Sequence, residues 1–482
     1  MNGKRNLSMM TDLYQLTMMN GYDTLGTDSK TAVFDIFFRP NGQITYAVAA
    51  GLEQAIDYLQ NLRFDEEDIK YLKNTCGFSQ KFLDRLKNFK FSGDVYSVPE
   101  GTIVFPYEPI FTVRAPLDEA QLVETALLNI INHQTLIATK ASRVKLAAGK
   151  AFVSEFGLRR AQGPDAGIYG ARASIIGGCG GTSNVLAGQM FDVPIKGTMS
   201  HSWIMSFASE LEAFEKFAEV YPDNCLLLVD TYDTLKSGMV NAIKVFDKLK
   251  AAGHKPVGIR LDSGDLAYLS KKARKMLDEA GHCDAVVFAS CDLDEHVISA
   301  LGQQGARIDS YGVGTRLITS ADLPSLGGVY KLAEIAINGV NHPRMKFSDT
   351  PEKMTDPGFK TLYRVYDGQG KAFADIISLF DEVIAVDKPL KLTHPALRYK
   401  TTTLTNFTVK KLVEPIILGG KTVYKFPSVS KIAKYNRDER KTFWEEHLRN
   451  VNPEIYKVNL SDKLYELKHE LINQHLGGND EI

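Results

Sequence analysis

The chain has few cysteines, almost no net charge and no long apolar run. Its five cysteines are an odd number and none forms a C-x-x-C pair, so a disulfide framework and a structural zinc site are both poorly supported. Lys and Arg total 57 against 58 Asp and Glu, a net charge of -1, which indicates no bulk attraction to nucleic acid or an anionic membrane. No stretch approaches the roughly 18 apolar residues that span a bilayer. We therefore expect a cytoplasmic protein with neither nucleic acid nor membrane as a partner.

The composition is that of a folded globular protein. Hydrophobic residues make up 44% and charged residues 24% of the 482 positions, which excludes a disordered, collagen-like or coiled-coil chain. At about 150 residues per domain the length predicts roughly three units, and a barrel with smaller domains fits equally well.

Short apolar runs dominate the middle of the chain, at 225–230, 257–262, 285–292 and 308–315. Each run ends near an acidic residue or a glycine. The ends of the first three runs lie about 30 residues apart, which is the length of one strand and one crossover helix. Strands that are apolar throughout indicate a parallel sheet buried on both faces. We favour an α/β barrel over an open sheet, with the polar residues after the strands forming its site. A helical tail is predicted over 440–476, with a capping box from Thr442 to Glu445.

Two of the segments after strands have the composition of phosphate-binding loops. Residues 262–265 read DSGD and residues 312–315 read GVGT. Glycines allow the backbone to approach an anion, and the Ser and Thr hydroxyls add donors. Plain turns are the alternative for either loop alone, but both together, each after a predicted parallel strand, favour a phosphate site.

Basic residues gather ahead of and within the predicted sheet, which suggests an anionic small molecule as ligand. Arg260 stands out because it lies inside an apolar run, where a charge must be paired. The alternative is a structural ion pair with Asp262 or Asp230. The whole group is Lys140, Arg143, Arg159, Arg160, Arg172, Lys196 and Arg260.

Three further features allow more than one interpretation. His201, in the run GTMSHS, suits a general base, a metal ligand or a phosphoryl acceptor, or else an ordinary hydrogen-bonded histidine. The glycine-dense segment 177–184 is either an anion nest or a simple connection. Acidic residues at the strand ends are candidate Mg²⁺ ligands, although some must cap helices; they are Asp230, Asp233, Asp262, Asp265 and Asp292.

Several motifs resemble those of the bacterial-type nicotinate phosphoribosyltransferases, in order over roughly three quarters of the chain. The C-terminal 120 residues match less distinctively. The motifs are MTDLYQLTM (10–18), EFGLRRAQGPD (155–165), TSNVLAG (182–188), GTMSHSW (197–203), IRLDSGDL (259–266), GVGT (312–315) and PRMKFSDTPEKMTDPGFK (343–360).

The resemblance implies a type II phosphoribosyltransferase fold, with an irregular α/β barrel, a smaller α+β domain and a helical C-terminal segment. We place the smaller domain at 1–118 and 336–400, the barrel at 119–335 and the C-terminal segment at 401–482. The implied reaction joins nicotinate to 5-phosphoribosyl 1-pyrophosphate, giving nicotinate mononucleotide and pyrophosphate for NAD synthesis. ATP as co-substrate, Mg²⁺ as cofactor and a homodimer whose subunits complete each other's sites are implied as well.

The resemblance also implies roles for individual residues. His201 matches the histidine that ATP phosphorylates, and it is the expected catalytic and modified residue. The motifs do not identify the ligands of Mg²⁺. Tyr14, Arg160, Thr198 and Arg260 are the expected nicotinate-binding residues, and Asp262, Ser263, Gly264, Gly314 and Thr315 the expected phosphoribosyl-pyrophosphate-binding residues.

Other activities fit the residues less well. The nearest rivals are nicotinamide and quinolinate phosphoribosyltransferases; quinolinate carries two carboxylates and needs more cations and no phosphorylated histidine, so the intact GTMSHS segment disfavours it. A Schiff-base aldolase needs a lysine inside a barrel strand, and the runs 225–230, 257–262 and 285–292 contain none. A silent regulatory dimer is expected to lose His201 or Arg260, and both are present.

Overall fold

The computed structural model describes residues 6–27, 29–40, 44–393 and 399–477. Within these ranges, no helix is both long and apolar enough to cross a membrane.

The helices are distributed along the whole described chain. In order they are α1 (Leu13–Leu25), α2 (Leu52–Gln60), α3 (Glu66–Cys76), α4 (Gln80–Leu86), α5 (Leu117–Leu122), α6 (Glu124–Ala148), α7 (Pro164–Gly177), α8 (Val185–Phe191), α9 (His201–Met205), α10 (Glu210–Val220), α11 (Met239–Ala251), α12 (Leu266–Glu279), α13 (Glu295–Gln303), α14 (Thr315–Ile318), α15 (Val429–Arg440), α16 (Glu445–Leu448) and α17 (Asp462–Gly477). Short 3-10 helices cover Leu158–Arg160, Pro222–Asn224 and Pro351–Lys353, and a π-helical turn covers Thr234–Gly238.

The strands are mostly short. In order they are β1 (Thr31–Phe38), β2 (Ala47–Val48), β3 (Asp94–Ser97), β4 (Ile103–Val104), β5 (Phe111–Pro116), β6 (Phe152–Glu155), β7 (Gly181–Thr182), β8 (Leu226–Leu228), β9 (Gly258–Leu261), β10 (Val286–Cys291), β11 (Ser310–Val313), β12 (Gly328–Ile337), β13 (Val340–Pro343), β14 (Lys360–Asp367), β15 (Ala372–Leu379), β16 (Leu390–Thr393), β17 (Thr401–Leu404), β18 (Phe407–Lys411), β19 (Glu414–Leu418), β20 (Lys421–Thr422) and β21 (Lys457–Leu460).

The chain divides into two compact units. Unit 1 comprises Met1–Leu136, Ser325–Pro427 and Tyr435–Ile482, and unit 2 comprises Ile137–Pro324 and Ser428–Lys434. The boundaries predicted from the sequence, after residues 118, 335 and 400, stay predictions.

Unit 2 is built on a parallel sheet with the order β7-β6-β11-β10-β9-β8. Its last four strands in chain order, β8 to β11, are the four apolar runs, which confirms that part of the prediction. Helices α11, α12 and α13 connect them, as βαβ units require. Because the carboxyl ends of parallel strands lie on one edge, the polar residues that follow β8, β9, β10 and β11 are brought to the same edge of unit 2.

Helix α12 illustrates how the local sequence fixes this edge. Asp265 caps the helix, since its side chain accepts a hydrogen bond from the Tyr268 amide at 2.9 Å. Leu266, Ala273 and Leu277 recur on one face and are buried. The cap therefore ends the loop after β9 at a fixed position and directs the amides of the first helical turn toward that loop.

Unit 1 contains an antiparallel sheet with the order β13-β12-β1-β5-β3-β19-β20. A second sheet has the order β18-β14-β15-β21, and a charged network lies buried against it. Arg364 on β14 is fully buried and pairs with Asp375 at 2.6 Å and with Glu439. The guanidinium also lies over the Phe443 ring, at 4.8 Å from its centroid. A buried guanidinium requires such partners.

The predicted helical tail and its capping box are partly wrong. Helices α16 and α17 are present, but β21 lies between them and pairs in parallel with β15. The Thr442 hydroxyl bonds the Glu439 carbonyl instead of capping a helix, and Trp444 precedes α16. Residues 457–460 form a strand because β15 has a free edge with which they pair.

Candidate active site

His201 lies beside two residues from the carboxyl edge of the unit 2 sheet. It is the first residue of α9, and its Nδ1 lies 3.0 Å from the hydroxyl of Thr231, just after β8. Its Nε2 lies 3.7 Å from Oδ2 of Asp262, just after β9. The imidazole side chain keeps 38% of its surface exposed, so it is held by neighbours and still accessible to a ligand.

Arg260, Asp262 and Ser290 form a hydrogen-bonded group next to His201. Arg260 donates from Nη2 to Oδ1 of Asp262 at 2.8 Å and from Nε to the hydroxyl of Ser290 at 2.8 Å. The Ser290 hydroxyl in turn donates to the same Asp262 oxygen. The ion pair between Arg260 and Asp262 considered from the sequence is therefore present, and it lies on the predicted site edge.

The pKa of Asp262 is lowered by these contacts. Burial alone would raise the pKa of this carboxyl, but hydrogen bonds from Ser290 and Arg260 and the positive charge of Arg260 outweigh burial. Asp262 is therefore held as a carboxylate, and it keeps Arg260 and His201 oriented toward the edge of the sheet.

The loop after β9 is tied to the loop after β8 by Asp230. Oδ2 of Asp230 accepts hydrogen bonds from the Asp262 amide and the Ser263 hydroxyl, both at 2.7 Å. Gly264 adopts a φ of +76°, which favours glycine. These contacts place Ser263 and Gly264 at the exposed edge, directly before α12.

Gly314 and Thr315 occupy the equivalent position after β11. Gly314 precedes α14, and Thr315 is its first residue and is exposed. The next residue, Arg316, pairs with Asp294 at 3.1 Å. The GVGT run is thus a strand-to-helix turn on the same edge as the 262–265 loop, and the two loops provide backbone amides and hydroxyls for an anion.

The acidic residues at the strand ends have separate tasks. Asp233 accepts hydrogen bonds from the amides of Leu235 and Lys236, and Asp265 caps α12, so both serve backbone structure. Asp230 is different, since its Oδ1 is buried and has no hydrogen-bond partner among the described residues. No group of three or more His, Cys, Asp or Glu arranged for a metal occurs within the described ranges. One free carboxylate oxygen beside a phosphate loop fits Mg²⁺, which is held by few protein ligands and by substrate phosphates.

Three of the seven basic residues grouped from the sequence make contacts away from the His201 site. Lys140 and Arg143 on α6 pair with the buried Glu295 at 2.8 and 3.1 Å. Arg172 is buried with its guanidinium over the Phe191 ring. The interpretation of one anion-binding cluster is therefore wrong for Lys140 and Arg143, because their charges balance a buried carboxylate.

The remaining predicted nicotinate residues lie in different places. Thr198 lies beside the sheet and donates its hydroxyl to the Leu226 carbonyl at 2.6 Å, and the neighbouring Met199 carbonyl is 3.5 Å from Nη1 of Arg260. Arg160 is exposed in the 3-10 helix that follows β6. Tyr14 belongs to unit 1, on α1, with 48% of its surface exposed. Burial, followed by the charges of Glu124 and Asp12, raises the pKa of its phenol, so Tyr14 is a hydroxyl donor at neutral pH.

The glycine-dense segment 177–184 is explained by packing. A Cβ on Gly177 would lie 2.1 Å from the Ala138 carbonyl oxygen, and one on Gly180 would lie 2.2 Å from the Phe152 ring. Thr182 donates to the buried Glu155 at 2.6 Å. These contacts favour a closely packed connection over an anion nest.

Two residues of the site were missed in the sequence. Ser290 lies inside the run 285–292, and the parallel register that pairs Phe288 with Arg260 places it beside the guanidinium. Phe156 lies under Arg260, with Cζ 5.9 Å from the ring centroid, and stacks on Phe288 at 5.7 Å. The signal for Phe156 was its position directly after β6, in the motif EFGLRRAQGPD.

Most of the chain matches known protein families. Residues 9–132 match the nicotinate phosphoribosyltransferase N-terminal domain, residues 152–369 the nicotinate phosphoribosyltransferase family, and residues 359–468 its C-terminal domain. A nicotinate phosphoribosyltransferase of Bacillus subtilis (strain 168) is 48% identical over 476 residues, covering 97% of this chain and 96% of the relative.

Solved structures agree with the sequence matches. The crystal structure of human nicotinic acid phosphoribosyltransferase superposes with a TM-score of 0.83 at 30% identity, covering 96% of this chain and 100% of that one. A nicotinate-nucleotide pyrophosphorylase from Pyrococcus furiosus has a TM-score of 0.70 at 24% identity, over 92% of this chain and 98% of that one, and shows a shared fold only. The predicted type II phosphoribosyltransferase fold is confirmed. The motifs and these relatives agree, and the chain belongs to the nicotinate phosphoribosyltransferase family.

Proposed function

We propose that this protein joins nicotinate to 5-phosphoribosyl 1-pyrophosphate, releasing nicotinate mononucleotide and pyrophosphate for NAD synthesis in the cytoplasm. The observation that carries the proposal is the Arg260–Asp262 pair, which lies next to His201 on the sheet edge that also carries the loops 262–265 and 312–315. Such a site combines a fixed cation for a carboxylate with amides for phosphates.

Arg260 is the proposed partner of the nicotinate carboxylate. Its Nε and Nη2 face Ser290 and Asp262, and its outer Nη1–Nη2 edge is the fork that matches a carboxylate. Neutral nicotinamide would offer an amide where the outer edge of the guanidinium matches a carboxylate, which disfavours it as a substrate. Tyr14, Arg160 and Thr198 are the further proposed nicotinate-binding residues. The Thr198 proton is engaged by the Leu226 carbonyl, so its hydroxyl would act as an acceptor unless that bond changes.

The phosphoribosyl pyrophosphate is proposed to lie over the two loops. The contributing residues are Asp262, Ser263, Gly264, Gly314 and Thr315. The nicotinate nitrogen attacks C1 of the ribose, the bond from C1 to the pyrophosphate oxygen breaks, and the leaving group carries its electron pair away. A pyridine nitrogen has no proton to lose, so the protein needs no general base for this step. Its task is to align the two substrates and to balance the charge of the leaving group.

Mg²⁺ is the proposed cofactor. Asp230, through its free Oδ1, and Asp262 are the residues that would hold it. When bound, the cation neutralises charge on the pyrophosphate. Removal of Mg²⁺ with a chelator is expected to abolish transfer reversibly.

ATP is the proposed co-substrate, with His201 as the phosphoryl acceptor. A ring nitrogen of His201 attacks the γ-phosphorus of ATP, ADP leaves, and water later releases phosphate from the phosphohistidine. Thr231 and Asp262 orient the ring for this step. We infer that the phosphohistidine is a switchable anion that reorganises the adjacent loops, and so couples ATP use to substrate binding and not to cleavage of the bond at C1.

A homodimer is proposed from the family resemblance, with each subunit completing the other's site. Helix α8 offers an apolar surface that a second subunit would cover. On this helix Val185 is 67% exposed, Leu186 49% and Met190 50%, and Ile195, which follows the helix, is 54% exposed. Such exposure is unusual for neighbouring large apolar side chains.

The decisive assay measures product formation with Mg²⁺ from nicotinate, nicotinamide and quinolinate in parallel, each with and without ATP. Nicotinate mononucleotide formed from nicotinate alone, stimulated by ATP and accompanied by ADP, is the expected result. Product from nicotinamide or quinolinate instead would replace the proposed substrate. If none of the three substrates gives a product, the proposed activity is refuted and only the fold assignment remains.

A further inference from the structure

Ser290 occupies a position that the proposed chemistry does not use directly. It lies on β10 with only 4% of its surface exposed, and its hydroxyl is held between Arg260 and Asp262. The hydroxyl accepts from Nε of Arg260 at 2.8 Å and donates to Oδ1 of Asp262. The proton and one lone pair of the serine hydroxyl are therefore engaged by one charged pair, and the Leu261 carbonyl lies farther from the hydroxyl, at 3.4 Å.

The direction of these bonds fixes which edge of the guanidinium is presented. A guanidinium has one side edge, formed by Nε and Nη2, and one outer edge, formed by Nη1 and Nη2. Ser290 and Asp262 together occupy the side edge of Arg260. The outer edge is not used by Ser290 or Asp262, and from it Nη1 donates a long hydrogen bond to the Met199 carbonyl at 3.5 Å.

The strands add to this constraint. Arg260 pairs in register with Phe288 on the adjacent parallel strand, which brings Ser290 to the side of the arginine at the sheet edge. Phe156 lies under the guanidinium and is itself stacked on Phe288. The ring supports the guanidinium from one face, while rotation in its plane is opposed by Ser290 and Asp262.

We propose that Ser290 is a positioning residue that orients the outer edge of Arg260 toward the carboxylate of the pyridine substrate and so sets the affinity for nicotinate. This inference rests on the proposed function, because it takes nicotinate as the ligand of Arg260. Ser290 itself does not touch the substrate, and it acts through the arginine and Asp262.

The expected effect is specific to one substrate. Ser290→Ala leaves the Arg260 Nε without its acceptor and frees Asp262 from one donor, so the KM for nicotinate is expected to rise about tenfold. The KM for 5-phosphoribosyl 1-pyrophosphate and kcat should change less than about threefold, as expected for lost positioning of one substrate. Ser290→Thr keeps the hydroxyl on a residue suited to a strand, and should restore most of the affinity.

A matched control exists in the same sheet. Ser154 on β6 is 1% exposed, and its hydroxyl has no hydrogen-bond partner among the described residues. Ser154→Ala therefore removes a buried serine hydroxyl without touching the charged pair. It should leave both KM values unchanged.

The closing experiment is a cycle of Ser290→Ala, Arg260→Lys and the double variant, with nicotinate KM by steady-state kinetics and nicotinate binding by calorimetry. Lysine has no Nε donor, so Ser290→Ala should add little to the Arg260→Lys defect. The proposal is overturned by an unchanged nicotinate KM in Ser290→Ala, by equal rises for both substrates, or by the same fold loss in the Arg260→Lys background. If the wild-type enzyme binds nicotinate but forms no product, only the proposed reaction is refuted. The ratio of the nicotinate Kd between each variant and the wild type, measured by calorimetry, then still tests the role of Ser290. Wild-type enzyme that does not bind nicotinate refutes both.

Discussion

Replacing Arg364 by methionine should strongly destabilise unit 1. The side chain is fully buried, donates to Asp375 at 2.6 and 2.9 Å and to the Ile103 carbonyl at 2.7 Å, and pairs with Glu439. Methionine fills similar volume but leaves two buried carboxylates without their cation. Removing one partner of a buried ion pair costs about 3–5 kcal/mol of the free energy of unfolding. For unit 1, which has about 290 residues, this corresponds to a fall in Tm of about 5–8 °C.

The pH dependence distinguishes this cause from simple cavity formation. Burial already raises the pKa of Glu439 against the opposing charge of Arg364, and without the arginine the pKa of Glu439 should rise further. A carboxyl whose folded pKa is raised adds stability at low pH and loses it as pH increases through that pKa. The deficit of Arg364→Met, measured by thermal unfolding, should therefore shrink between pH 8 and pH 5. The double variant Arg364→Met/Asp375→Asn should recover part of it. A deficit below about 1 kcal/mol, or one that does not vary with pH, would refute the reasoning.

Other predictions concern the unit 2 site. His201→Ala should lose ATP-dependent ADP release yet retain slow transfer without ATP; a folded variant with no ATP-independent transfer would contradict the proposed coupling role. Asp230→Asn should raise the Mg²⁺ concentration for half-maximal rate about tenfold or more, measured by Mg²⁺ titration, and an unchanged titration would exclude Asp230 as a ligand. Gly312→Ala places a Cβ 2.8 Å from the Phe156 ring and 2.9 Å from the Phe288 ring. It should lower the free energy of unfolding by about 1–3 kcal/mol and raise the nicotinate KM. A wild-type free energy of unfolding together with a wild-type KM would show that the two rings move aside without cost.

The parallel sheet of unit 2 was predictable because its strands are apolar on both faces. Runs such as 257–262 carry their own signal, and the acidic residues or glycines near their ends mark the edge where the site forms. β21 was not predictable in the same way. Its four residues form a strand because β15 offers a free edge, and that edge lies about 80 positions earlier in the chain.

The site was predicted as a set of residue types, but its pairings required the structure. Arg260 and Asp262 could be linked from the sequence because they are two positions apart on one strand end. Lys140 could not be assigned, because its partner Glu295 is brought near only by the packing of α6 and α13. Ser290 was hidden for a related reason, since a small residue inside an apolar run carries no signal until the strand register is known.

The order of strands in the unit 1 sheet has a consequence for synthesis on the ribosome. Strand β1 is flanked by β5 and β12, and β3 by β5 and β19. When β5 has emerged, more than 200 residues must still be translated before β12 appears, which takes roughly 10–40 s at 5–20 residues per second. Unit 2 is encoded almost entirely within that interval and can fold while β1 and β3 wait with unpaired edges. A nascent chain interrupted there would expose two template strands, and chaperone capture or aggregation is the expected fate of such fragments.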